Sequence, residues 1–195
     1  MKKKEHSVNI PTIEEVENEQ KRLRHRAVYQ RTLRGTIAVL LVVAAISVLV
    51  ATLWMPVLQI YGSSMSPTLE AGQIVVSVKT NQLKTGEVVA FWQGNKLLIK
   101  RVIAGPGQWV DIDMDGNVTV DGKELTEDYL DVKALGNCDV ELPHQVEESR
   151  WFLMGDNRDV SVDSRSAAIG DVSKDQIEGK IVFRIWPLKE FGSMQ

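Results

Sequence analysis

Three short stretches carry residue types able to break a covalent bond. In Gly62-Ser63-Ser64-Met65-Ser66-Pro67-Thr68-Leu69, small hydroxyl residues gather before a proline. Serines fill turns by bonding to their own backbone, so this stretch alone is ordinary loop chemistry. The second stretch alters the weighing. Lys100-Arg101 lies inside the apolar run Leu97-Leu98-Ile99 and Val102-Ile103, just before Ala104-Gly105-Pro106-Gly107. Strand alternation puts Leu98, Lys100 and Val102 on one face and Arg101 on the other, so one of two adjacent cations should face apolar company. A lysine placed there loses the hydration of its ammonium, its pKa falls, and a neutral amine becomes available as a base. A serine activated by such an amine is a nucleophile. The third stretch is Gly155-Asp156-Asn157-Arg158-Asp159-Val160-Ser161-Val162-Asp163-Ser164-Arg165, following the apolar Trp151 to Met154. Alone it reads as a polar loop of Asx turns and ion pairs; behind an apolar strand it suits a rigid wall beside a site.

Other candidates are weaker. His144 is the only histidine beyond the apolar stretch described below, and it sits in Leu142-Pro143-His144-Gln145, which reads as an exposed loop with no motif around it. An incidental surface histidine is the expectation, and a Ser-His-Asp triad is not. Asp111-x-Asp113-x-Asp115-Gly116 begins like a calcium loop, but its twelfth position is Gly122 where a bidentate glutamate is needed. Alternation in Val110 to Met114 followed by Asp115-Gly116 predicts a β-hairpin instead. Cys138 is the only cysteine, so no internal disulfide forms and no cysteine-rich zinc site is available. No glycine-rich loop suggests a nucleotide. The chemistry is expected to need neither cofactor nor metal.

Positioning these residues falls to elements that the texture of the chain predicts. Short β-rich runs occur at Gln73–Val78, Glu87–Trp92, Leu97–Ile103, Trp109–Ile112, Val118–Val120, Trp151–Met154 and Ile177–Trp186, separated by Gly, Asp-Gly and Pro-Gly punctuation. That spacing favours an all-β domain over alternating βαβ units. Asn137 to Arg150 lacks periodicity and reads as a loop.

Ahead of the β-rich part, Thr36 to Leu58 contains no charged residue. About 23 apolar residues can cross a hydrocarbon core of about 30 Å as a tilted helix, and exceed the h-region of a cleaved signal sequence. Lys21, Arg22, Arg24, Arg26, Arg31 and Arg34 precede this run, whereas no Lys or Arg follows it until Lys79. Basic flanks stay on the cytoplasmic side, so the N-terminus is expected inside and the rest outside, with Trp54 at the outer interface. Further upstream, Met1 to Ile10 is polar and expected to be mobile, and Thr12 with Glu15 forms a capping box that starts a charged helix. The predicted organisation is a basic, helical cytoplasmic segment at 1–35, a transmembrane helix at 36–58, and a β-rich extracytoplasmic domain at 59–195. The chain is 195 residues long with a net charge of −3, which gives no reason to expect nucleic acid as a partner.

Taken in order, the three stretches resemble those of the bacterial type I signal peptidases, serine peptidase family S26. The likeness spans Tyr61 to Trp186 and includes the single anchor. Ser64-Met65-x-Pro67-Thr68-Leu69, Lys100-Arg101-Val102 before Gly105-x-Gly107, and the stretch from Gly155 to Arg165 carry it, with Gly86 to Phe91 and Arg184 to Leu188 in support. The resemblance implies a membrane-bound endopeptidase that removes signal peptides from exported preproteins at the cell membrane. It implies Ser64 as nucleophile, Lys100 as general base, Ser161 as the hydroxyl holding the amine, and Asp163 with Arg165 as a supporting ion pair. The Ser64 backbone N–H would stabilise the oxyanion. Some relatives carry a serine hydroxyl as second donor where this chain has Gly62, and Gram-positive-type relatives carry glycine, so the second donor stays open. The family accepts small residues at the first and third positions before the cut (Ala-x-Ala type) and reads the peptide as an added strand. Met65, Leu69 and Ile99 would form shallow pockets for them. A membrane-anchored binding module without activity would be favoured by loss of Ser64, Lys100 or Ser161, and all three are present.

Overall fold

The helix start read from Thr12 and Glu15 is formed as a reciprocal cap. The Glu15 N–H donates to Thr12 Oγ1 at 3.4 Å, and the Thr12 N–H donates to Glu15 Oε2 at 2.9 Å. The computed structural model describes residues 12–80 and 82–194. The polar segment Met1 to Ile10 and the Trp54 side chain, for which an interface position was expected, lie outside the described residues. The chain divides into two compact units between residues 50 and 51.

Helix α1 runs without a break over Ile13–Trp54. Its described side chains up to Val50 are all exposed, and its apolar window has a mean hydropathy of 2.5. Within that stretch the hydroxyls of Thr36 and Ser47 donate to the carbonyls of Thr32 and Val43 at 3.0 and 2.8 Å, so neither needs water as a partner. By length and composition α1 can cross a membrane. The helix ends earlier than the apolar run. Pro56 disfavours a helical Met55, and Val57 and Leu58, expected at the end of the span, instead begin strand β1 (Val57–Gln59). The helical apolar stretch 36–54 is about 28 Å long at 1.5 Å per residue, close to one hydrocarbon thickness.

The second unit is antiparallel throughout. After β1 come β2 (Ile74–Val78), β3 (Val88–Gln93), β4 (Lys96–Ala104), β5 (Trp109–Ile112), β6 (Val118–Val120), β7 (Lys123–Glu124), β8 (His144–Gln145), β9 (Arg150–Met154), β10 (Val172–Ser173), β11 (Ile177–Trp186) and β12 (Gly192–Ser193). The larger sheet runs β1-β2-β11-β3-β4-β9-β10, with β12 also on β11; the smaller runs β7-β6-β5-β8. The fold is therefore mainly β behind one long apolar helix. The expected hairpin from Val110 is β5–β6, turned by Asp113, whose Oδ1 accepts the N–H groups of Asp115 and Asn117. Within the segment read as loop, His144 and Gln145 form β8 against Val110 and Trp109.

Two properties of the larger sheet matter for the site. Strand β9 meets β4 only from Arg101 onward, so the outer edge of Lys96–Lys100 has no strand partner among the described residues. Among the described residues strand β1 pairs only with β2, which leaves a second edge open. Behind these edges, Ile60, Met65, Leu69, Val75, Val88, Ala90 and Ile181 form one apolar cluster, and Val89, Phe91, Val102, Trp151, Leu153 and Val172 another. Burying each such Val, Leu, Ile or Phe side chain contributes about 1.5–3 kcal/mol, and this fixes β2, β3, β4 and β11 as a rigid platform.

Candidate active site

Ser64 is held by its neighbours rather than by a regular element. Gly62, with φ near +82°, turns the chain out of β1, a conformation that side chains resist. Met65 and Leu69 then plug a single helical turn, closed by the Leu69 N–H to the Met65 carbonyl at 2.8 Å, into the core. Ser64 is left half-buried at the surface of that turn.

Lys100 faces it from β4. Its Nζ donates to Ser64 Oγ at 2.7 Å, and the residue is only 3% exposed. Burial lowers its pKa from 10.5 to about 8; the carboxylates of Asp163 and Asp156 oppose that fall, and the Arg165 guanidinium adds to it. An amine in this state is substantially neutral near pH 8 and can accept a proton from a hydroxyl. Arg101 is equally buried, which alternation did not anticipate. It resolves its charge by pairing: Nε and Nη2 donate to the Asp156 carboxylate at 2.9 and 2.6 Å, and Nη1 donates to the Gly86 carbonyl at 2.7 Å. Thr68 hydrogen-bonds the same carboxylate.

The stretch from Gly155 to Arg165 is the wall expected of it. Arg165 donates from Nε and Nη2 to the two oxygens of Asp163 at 2.9 Å each, with both side chains fully buried. Burial pushes the Asp163 pKa up, but the hydrogen bonds and charge of Arg165 outweigh it and hold the carboxyl below its ordinary value. Asp163 also accepts the Gly155 N–H at 2.9 Å, and the Asn157 N–H donates to the Ser64 carbonyl at 3.1 Å. A Cβ at Gly155 would overlap Ser161 Oγ and the Ser64 carbonyl, so only glycine lets the wall approach this closely. Ser161 Oγ is buried and meets no hydrogen-bond geometry among the described residues, although it lies near enough to Asp163 to favour the ionised carboxylate. It makes no hydrogen bond to Lys100.

A cleft of about 400 Å³ lies in front of Ser64 and Lys100, lined by Val57 to Gly62 and by Leu97 to Lys100 together with Met65. Two of the three expected pocket residues, Met65 and Ile99, line it. Leu69 does not: it is fully buried in the core, because the helical turn after Ser64 directs it inward. Gly62 borders the cleft beside Ser64. His144 corrects another expectation, since it is a β8 residue with Nε2 3.0 Å from Asp171 and its ring against Phe152. Sequence reasoning missed Asp156 and Arg101 as a pair, and missed Glu127 and Tyr129 entirely. The first two lie inside the quoted motifs; nothing in the motifs pointed to the others.

A hydroxyl in contact with a buried amine, in a β-rich unit that follows one long apolar helix in the chain, is an arrangement that suits a hydrolase of the serine type. A family model described as signal peptidase, peptidase S26, matches residues 33–186. Signal peptidase IB of Staphylococcus aureus (strain COL) is 38% identical over 153 residues, covering 68% of this chain and 78% of its own. Signal peptidase I of Bacillus licheniformis is 32% identical over 169 residues, covering 78% and 88%. A crystal structure of a signal peptidase I from Enterococcus faecalis is 25% identical, covers 52% of this chain and 98% of its own, and has a TM-score of 0.43. The chain belongs to the signal peptidase family, peptidase S26, as a bacterial type I enzyme that removes signal peptides from preproteins.

Proposed function

We propose that Ser64 attacks the scissile carbonyl of a preprotein and that Lys100 takes its proton. The observation carrying this reading is the 2.7 Å contact between Lys100 Nζ and Ser64 Oγ, with the amine buried and its pKa lowered to about 8. The neutral amine accepts the hydroxyl proton as the Oγ–C bond forms, and the resulting ammonium returns it to the leaving amine. Water then hydrolyses the acyl-enzyme by the same base. The Ser64 backbone N–H would hold the oxyanion, a donor worth about 3 kcal/mol in known proteases. Gly62 supplies no side-chain donor, so a second one must come from elsewhere. Asp163 and Arg165 support the amine, since their ion pair keeps a negative charge near it, while Ser161 fills the space under Gly155.

Extended peptide would enter the cleft between the open edges of β1 and β4 as an added strand. Met65 and Ile99 line that cleft, and hollows shaped by them would favour small side chains before the cut and reject large ones by overlap. The basic flank at Lys21–Arg34 supports a cytoplasmic segment at 1–35, a span beginning at 36 and a catalytic domain from 59 outside. Sharing one bilayer with the precursor raises effective concentration without added contact. No metal or cofactor enters this scheme. Precursor processing in membranes tests it: Ser64→Ala and Lys100→Ala should each lower cleavage by at least about 10⁴-fold, while His144→Ala keeps it. Cleavage surviving Lys100→Ala would reject the amine base.

A further inference from the structure

Three arginines stand buried around Ser64 and Lys100, and one loop touches all of them. Arg101, Arg158 and Arg165 are each no more than 3% exposed. The segment 127–135, which follows β7, reaches them in turn. Glu127 forms an ion pair with Arg158. The Tyr129 ring centroid lies 3.8 Å from Arg101 Cζ, and the Leu135 carbonyl accepts Arg165 Nη1 at 2.6 Å. Tyr129 Oη donates to Glu127 Oε1 at 2.7 Å, so the ring and the carboxylate act as one unit. The approach is close: a Cβ at Gly136 would overlap the Arg158 carbonyl.

The contact to Arg101 has a geometric reason. The N–H groups around the edge of that guanidinium donate to Asp156, Thr68 and the Gly86 carbonyl, which leaves its flat face to meet the ring. A buried cation with an open face is attracted to the negative face of an aromatic ring. Arg101 in turn fixes Asp156, and the next residue, Asn157, donates its N–H to the Ser64 carbonyl. Thr68, four residues after Ser64, bonds both Arg101 and Asp156, so the serine turn is held at two points.

We propose that Tyr129 is a positioning residue for this reaction, its ring fixing Arg101 and, through Asp156 and Asn157, the main chain of Ser64. The inference rests on the reading of Ser64 as nucleophile. Tyr129 touches neither the cleft nor the amine, so it acts on the rate of the bond-breaking step and leaves precursor binding alone.

Ring electronics separate this role from simple packing. In full-length enzyme in detergent micelles, Tyr129→Phe serves as reference, and mono-, di- and trifluorophenylalanine replace it in a series that weakens the ring face at nearly constant shape. The expected result is a stepwise fall in kcat totalling about threefold to tenfold, with KM for a signal-bearing precursor within about twofold. A flat kcat across the series, or a loss carried by KM alone, overturns the proposal. If Tyr129→Phe does not fold, Tyr129→Trp with fluorinated tryptophans gives the same reading. A flat series beside an inactive Ser64→Ala enzyme removes the Tyr129 assignment only, whereas cleavage by Ser64→Ala removes the nucleophile itself.

Discussion

Lys100 and Arg101 are consecutive on β4, equally buried, and relieved of their charge in opposite ways. The Arg101 guanidinium donates two hydrogen bonds to the Asp156 carboxylate, which compensates its charge. Lys100 has a hydroxyl as its hydrogen-bond partner rather than a carboxylate, and burial drives it toward the neutral amine. The choice of lysine at 100 and arginine at 101 is therefore chemical. Exchanging them should fail in both places, and Lys100→Arg alone should be as inactive as Lys100→Ala in a processing assay, because a guanidinium offers no base at working pH.

The pH dependence follows with a definite sign. The reaction needs the deprotonated amine, so kcat/KM should rise through pH about 8 and level off above it. Full activity well below pH 6 would exclude an amine base.

The same burial costs stability. Lys100 has a folded pKa of about 8 against 10.5 when unfolded, so folding is penalised by about 3 kcal/mol at any pH below 8. The penalty shrinks as pH rises from 8 to 10.5 and is gone above that. Lys100→Met should therefore resist urea better than the wild type at pH 7, and this advantage should vanish near pH 11. An advantage that did not change with pH would point to packing instead.

Asp163 offers a test of the electrostatic surroundings. Its carboxylate raises the Lys100 pKa, and Arg165 lowers it. Asp163→Asn removes the first and leaves the second unpaired, so the acid limb of the rate profile should move to lower pH. Breaking this fully buried pair should also cost about 3–5 kcal/mol, read from chemical denaturation at low temperature. A limb moving upward would mean that Asp163 acts on the amine by another route.

Gly155→Ala places a methyl against Ser161 Oγ and the Ser64 carbonyl. Overpacking of this kind costs about 1–3 kcal/mol, and a nucleophile displaced by about 1 Å loses about 10²-fold in rate. Activity should fall far more than the melting temperature suggests. A variant with wild-type kcat would show that the wall and the serine turn move independently.

Orientation is testable without the active site. In spheroplasts, added protease should degrade the chain beyond residue 59 and spare an N-terminal tag if the orientation proposed from the basic flank holds. Loss of the tag would reverse the topology.

What could be read in advance followed the strength of local pattern. Strands such as β5, β6 and β11 were legible because alternation and turn residues bound them on both sides. The two-residue strands β7, β8, β10 and β12 carry no period of their own; β7 and β12 are set by turning back on the strand just before, and β8 and β10 by partners farther away in sequence. Ser64 and Lys100 were legible as residue types in apolar or turn settings, and their contact spans 36 positions that no pattern bridges. Alternation put Arg101 on the face opposite Lys100, but could not say that Asp156, 55 residues on, would let Arg101 be buried as well. Leu69 looked like a pocket residue by proximity; the helical turn between it and Ser64 rotates it into the core.

The unpaired rims of β1 and of the first half of β4 have a wider implication. A docking rim made of peptide groups recognises what every polypeptide shares and ignores most of what distinguishes one from another. If precursors dock there as proposed, leaders of unrelated sequence would be handled by a single surface, with discrimination left to the few positions whose side chains must fit. The breadth of such an enzyme's diet would come from what the sheet leaves unfinished.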